Sequence, residues 1–369
     1  MKLIPAVAVS RRRMAMLLVA IAWLPLALLC WRDGTLAGDA VDIALLVDPV
    51  AYSRYLVAIP LLVLFHAIVD RRTADALTML GRTGVVAGSA TAAVAALFEQ
   101  AERSWQSRKV RLALATVSVA MAALAWPAKS LVGVSTWVWH TVDGTVQVTA
   151  AGWWNLLVSG PIVRWLLLLA LWRLLVWGRL LWRLAKMPLN YIPLHPDRCG
   201  GIGFLDAVQV GFAGFGAACG FQFGCLVASA VIYGGYDIES MKSAAAALTV
   251  VMIVVIFAPS LAFIRPLQRV TRDAEQRFWA WSARAALHVD RAMSETSDDA
   301  IAAQLGTSSV SSLTDATALL REARRLQPIP VRLRSLLAVA VVMLVSMALP
   351  LLPLLPLQQI ARRLAGIVL

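Results

Sequence analysis

Charged side chains are scarce in this chain. Asp, Glu, Lys and Arg make up 15% of its 369 residues, while hydrophobic residues reach 60%. Soluble domains carry roughly 25% charged and 45–50% apolar residues. No soluble core could bury this excess, so the two or three soluble domains that the length alone suggests are excluded. Cysteine and histidine are scarce as well, with four of each. Four cysteines without paired Cys/His spacing exclude a disulfide scaffold and a zinc site. Catalytic signatures are missing too: the chain has no H-E-x-x-H, no G-x-S-x-G, and no paired catalytic carboxylates on one face. These absences point to a non-enzymatic integral membrane protein that takes no cofactor and no metal.

What is present is a series of long apolar runs. A helix crosses the hydrocarbon with roughly 17–25 mostly apolar residues. The runs are Met14–Trp31, Tyr55–Val69, Leu112–Trp126, Leu156–Trp177, Leu205–Tyr233, Ala244–Ile264 and Leu336–Leu355. The expected fold is therefore all-α, a polytopic transmembrane helical bundle of about seven spans. A further run, Val85–Phe98, is rich in Ala and Gly and leads into Glu99, Glu102, Arg103 and Arg108. It reads as an amphipathic surface helix continuing toward the third span. The first run ends in Cys30-Trp31-Arg32-Asp33 without a small-x-small cleavage site, so it reads as a retained span. The expected organisation is six spans over residues 1–264, a cytoplasmic helical segment over 265–333, and the last span with an amphipathic tail helix over 334–369.

The net charge of +13 raises the question of nucleic acid, and its distribution answers it. Of 34 basic residues 29 are Arg, a bias common in GC-rich bacterial coding sequence, and they flank the apolar runs. Such placement serves topology, not a DNA-binding face. With the N-terminus in the cytoplasm, 26 basic residues fall inside and 6 outside, with Arg164 and Arg173 within span four. The positive-inside rule then predicts an inner-membrane protein with its N-terminus inside and its C-terminus outside.

Two connecting segments carry structure of their own. In residues 127–152, Asp143-Gly144 favours a tight turn between flanks rich in Val, Thr and Trp. Registered on that turn, Val142 faces Thr145, Thr141 faces Val146 and Trp139 faces Val148. The expectation is a small extracytoplasmic β-hairpin with Trp137 and Trp139 among lipid headgroups. On the cytoplasmic side, Pro266–Pro330 reads as two helices broken at Ser294–Asp299, the second opening at Ser311–Asp315 and running through Arg325. The tail Gln358–Leu369 reads as an amphipathic helix at the outer surface.

Four passages together resemble a known family. They are Ala151-Gly152-Trp153-Trp154, the Arg/Trp-rich run Arg164–Arg183, the stretch Leu194-His195-Pro196-Asp197-Arg198-Cys199-Gly200-Gly201-Ile202-Gly203-Phe204-Leu205, and Ser312-Leu313-Thr314-Asp315 before a Leu/Pro-rich final span. With Asp48–Leu62, they resemble a family of uncharacterised bacterial polytopic inner-membrane proteins bearing an H-P-D-x-x-G-G-x-G-F-L loop. The resemblance covers most of the chain and implies a helical inner-membrane protein, with no activity to carry over. Cys199 stands where such proteins often have Ala, which argues against a thiol role.

The candidate site residues fall in four groups. The loop over 187–204 gathers His195, Asp197, Arg198, Gly200, Gly201 and Gly203 before a helix N-terminus, where amides and Arg198 can hold an anion. Within the membrane lie Arg164, Arg173, Asp206, Gln209 and Gln222. A charge at this depth costs roughly 2.5–3.5 kcal/mol or more, so Arg173 should face a partner, with Asp206 the candidate. His66 and Asp70, four apart, are a candidate proton relay. Gly216, Gly220 and Gly224 form a small-residue face for helix packing, within the chain or in a homo-oligomer. These ionisable residues favour channel-like permeation of a small ion, an anion first. The alternative is a non-transporting scaffold or sensor that recruits a cytoplasmic protein partner through Arg269–Arg325. The bilayer is the expected partner in either case, and nucleic acid is not.

Overall fold

The computed structural model describes residues 4–124, 135–142, 145–294 and 308–354. Surrounded by hydrocarbon, a chain must satisfy its backbone polar groups internally, and continuous helix achieves this for the apolar runs. Helix α1 (Ile4–Arg32) is followed by α2 (Pro49–Arg82), α3 (Thr91–Gln106) and α4 (Arg108–Leu124). Then come strands β1 (Trp139–Val142) and β2 (Thr145–Val148) and helices α5 (Ala150–Leu184) and α6 (Gly203–Gly234). Helices α7 (Lys242–Phe257), α8 (Ile264–Ser294), α9 (Ser308–Arg324) and α10 (Leu333–Ala348) complete the described chain. The start of α2 shows why a helix begins where it does. Asp48 accepts from the Val50 N–H at 2.8 Å, and Pro49 occupies the first turn, where its missing N–H leaves no bond unmade.

Among the described residues, six stretches are long and apolar enough to cross a membrane, namely Arg11–Arg32, Pro49–Arg82, Ala150–Leu184, Gly203–Gly234, part of Ile238–Arg291, and Leu333–Pro353. The remaining expected span, Leu112–Trp126, falls on α4, of which 17 residues are described. Contacts with α5 trace its course. The indoles of Trp172 and Trp165 donate to the carbonyls of Ser104 and Arg111 at 3.3 and 3.0 Å, and Arg183 donates to Gln100. Helices α3 and α4 therefore run antiparallel along α5. So does α1: its Arg11 meets Asp70 beside Arg173, while Ser159 near the other end of α5 donates to the Ala22 carbonyl at 2.8 Å. Beyond that end, past α1, the Ser135 N–H donates to Asp42 at 2.8 Å. At Gln100 the chain is thus at one end of the bundle and at Ser135 at the other.

The β ribbon has the register expected from its turn, pairing Trp139 with Val148, His140 with Gln147, Thr141 with Val146 and Val142 with Thr145. Its tryptophan is placed differently from expectation. Trp137 is buried, and its indole donates to Asp48 at 2.9 Å, so it seals the β end of the bundle instead of meeting headgroups. At the opposite end, α8 and α9 form an antiparallel pair joined by Arg324 and Glu275 at 3.9 Å. Beyond Leu267 at the root, their buried positions are small, Ala274 and Ser282 on one helix and Ala316 and Ala323 on the other, which lets the two axes approach closely. Helix α9 is already running at Ser308, so Ser311–Asp315 lies inside it and does not open it. The expected tail helix, Gln358–Leu369, lies outside the described residues.

Candidate functional site

Arg173 stands at the centre of a cluster built by four helices. It is only 5% exposed, and its guanidinium forms an ion pair with Asp70 of α2 at 2.5 Å. Glu102 of α3 lies 3.9 Å away, and Arg11 of α1 pairs with the same Asp70. The Trp105 ring covers the guanidinium at 4.6 Å, a cation–π contact of order 1–2 kcal/mol in a desolvated setting. Asp206, the partner expected from sequence, is elsewhere. Its carboxylate accepts from Ser335 of α10 at 2.5 Å, because the face of α6 that bears it is turned toward α10 and not toward α5. Arg173 and Arg11 are thus met by the carboxylates of Asp70 and Glu102, while a third arginine, Arg111, lies 5.7 Å from the same Trp105 ring.

His66 and Asp70 do not form the expected relay. Asp70 is engaged by Arg173 and Arg11, whereas His66 lies between Phe65 and Trp105, with ring centroids 4.1 and 4.8 Å away. Neither imidazole nitrogen has a hydrogen-bond partner among the described residues. The spacing of four put both side chains on one helical face, but the neighbouring helices divide that face between an aromatic layer and an ionic one.

The loop at His195 is built around Asp197. One carboxylate oxygen accepts from the N–H groups of Cys199 and Gly201 at 2.8 and 3.1 Å, and the other from Gly203 at 2.8 Å. His195 Nδ1 lies 2.9 Å from the same carboxylate. Burial opposes ionisation of this group, but the three amides and the imidazole outweigh it and hold the carboxyl below its ordinary value. The amides expected to cradle an external anion are therefore occupied by a carboxylate of the loop itself. The glycines make this turn feasible. Gly200 and Gly201 have φ of +67° and +90°, and a Cβ on Gly201 would come within 2.7 Å of the Val85 side chain. Burial pushes the Cys199 thiol up to about 11, too high for a thiolate at neutral pH.

The same loop ties distant parts of the chain together. The Gln327 N–H donates to the Arg198 carbonyl at 2.7 Å, and the Asn190 N–H to that of Val85 at 2.7 Å. Arg198 also reaches Glu322 of α9 at 3.5 Å, and Gly200 lies against Leu267 of α8. The root of the α8–α9 pair is fastened to the bundle here.

The glycines of α6 close against α10 within one chain. A Cβ on Gly220 would lie 2.6 Å from Ser346 Oγ, and one on Gly224 would collide with the Met347 carbonyl. Gly216 is looser, its nearest neighbour at 3.8 Å. Gln222 donates to its own helix at Ala218, and Gln209 accepts from Ser260 at 2.8 Å, while the Gln209 Nε2 donor has no partner among the described residues. Arg164 lies over Gly160, where a Cβ would be 2.8 Å from its Nη1. Sequence reasoning passed over Glu102, Trp105 and Arg11, and also Tyr55, whose hydroxyl donates to Asn155 between two π-helical turns. The i, i+3 spacing of Glu102 and Trp105 was the available signal, hidden in a segment read as a surface helix. Comparison of the chain with protein-family models, with characterised proteins and with solved structures gives no match.

Proposed function

We propose that this is a non-transporting scaffold of the bacterial inner membrane, whose seven-span bundle presents the α8–α9 pair to a cytoplasmic protein partner. The carrying observation is the pair itself. It is fastened at its root through Arg198 and Gln327, and it leaves Trp279 and Trp281 62% and 46% exposed. Exposed tryptophans flanked by arginines are the residue types that dominate binding interfaces. The excess of basic residues at this end supports a cytoplasmic location for it. The location in a bacterial inner membrane rests on the resemblance carried by the His195–Leu205 stretch.

Channel-like passage of an anion has less support. Arg173 is balanced by Asp70 and Glu102, the loop amides are held by Asp197, and the small face of α6 is filled by α10. Purified protein in liposomes is expected to pass no ion above empty liposomes in either polarity. A photo-crosslinking residue at position 279 or 281 in cells is expected to give discrete protein adducts. Ion flux from the purified protein, with no adducts at either position, would overturn the scaffold reading in favour of permeation.

A further inference from the structure

A cavity of about 270 Å³ opens between α3 and α5 on the side of the bundle. Its walls are mainly Leu97, Ala101, Leu175 and Val176, with the neutral Gln100 and Ser104 beside them, and Arg179 and Arg183 stand at its loop-end rim. The two arginines are four apart on one face of α5. Arg183 donates only to the neutral amide of Gln100, Arg179 has no protein partner among the described residues, and no acidic side chain lines the cavity. Their depth is marked by the neighbouring Trp182, 54% exposed and capped by the Lys186 ammonium 3.3 Å from its ring centroid. A Trp beside a Lys is the signature of the headgroup layer. Toward the bilayer centre the cavity is bordered by Leu175, 58% exposed to the surroundings of the bundle. The feature thus combines an apolar slot open to acyl chains with two uncompensated cations at phosphate level.

We propose that this groove is a binding site for an anionic phospholipid, with one acyl chain between α3 and α5 and the phosphate on Arg179 and Arg183. A zwitterionic lipid would bring its own cation to a rim that already holds two. A soluble anion would gain nothing from the apolar slot, so the charge pattern and the walls together select the lipid.

The full-length protein in neutral detergent is mixed with dioleoyl phosphatidylglycerol or dioleoyl phosphatidylcholine and read by native mass spectrometry. Wild type is expected to retain the anionic lipid at least about tenfold more than the zwitterionic one. Arg179→Gln with Arg183→Gln should abolish the preference. Ala101→Trp, which fills the slot and leaves both arginines, should abolish retention. Arg12→Gln with Arg13→Gln removes the same charge from exposed positions at the same end and should change neither. Should the double variant fail to fold, Arg179→Gln alone decides, since that side chain supports no other part of the protein, and it should lower the preference several-fold. Equal retention of the two lipids by wild type overturns the proposal, as does an unchanged preference in the arginine variants. Displacement of the lipid by millimolar inorganic phosphate overturns the lipid assignment in favour of a simple anion contact.

Discussion

Asp197 does for its loop what a bound phosphate does at many helix N-termini, and its value lies in being charged. The carboxyl is held below its ordinary value, so its contribution is present above the unfolded pKa of about 3.9 and is lost as pH falls through the lower folded value. Melting temperature in detergent is therefore expected to drop below about pH 4, and Asp197→Asn should flatten that part of the profile. At neutral pH the same substitution should cost about 1–3 kcal/mol, since an amide oxygen cannot serve all three N–H groups from both sides as the carboxylate does. A wild-type acid limb that persists in the variant would remove Asp197 as its source. Arg173 invites a different test. Asp70→Asn leaves a buried guanidinium with only the more distant Glu102, and breaking a buried pair from one side costs about 3–5 kcal/mol. Arg173→Gln should cost less, because Asp70 keeps Arg11 and is partly exposed. The double variant should lose clearly less stability than the sum of the two single losses, and strict additivity in melting data would dissolve the pair.

At the scale of elements, the small residues of α6 were legible in sequence, but not what they meet. Gly220 and Gly224 announce that some backbone comes close, and nothing local names α10 as its owner. The same holds for Arg173, whose spacing within an apolar run shows that it needs a carboxylate. Whether that carboxylate is Asp70 or Asp206 depends on which helices become neighbours, a property of the whole packing. The β ribbon is the opposite case, because its turn and alternation are local and its register was readable in full. The burial of Trp137 was not readable, since it depends on Asp48, far away in sequence. Close packing against α10 gives a graded expectation. Gly216→Ala should leave the melting temperature nearly unchanged, because its Cβ meets nothing closer than 3.8 Å. Gly220→Leu should lower it strongly, with no change in oligomeric size, because the contact lies within one chain. A change in particle size at constant stability would instead place this face between subunits.

For the molecule as a whole, α4 is the element that length and hydropathy serve least well. Its 17 described residues include Arg108, Lys109 and Arg111, and as a span it is marginal when judged alone. Its course follows from partners instead. Gln100 is at the end of α5 that carries Arg183, Arg111 lies beside Trp165 further along, and Ser135 is already bonded to Asp42 at the other end. A marginal span of this kind is stabilised by its neighbours, here the apolar flank of α5, and need not insert independently. If α4 crosses, the number of traverses is odd, and the two termini are expected on opposite sides. A single cysteine at position 143, in the turn of the β ribbon, should react with a membrane-impermeant thiol reagent applied to intact spheroplasts. One at position 300, between α8 and α9, should react only after permeabilisation. Reporter fusions at residue 1 and after residue 369 should report opposite sides. Reactivity of both cysteines from the same side would mean that α4 does not cross, and the connection from Gln100 to Ser135 would then have to run around the bundle.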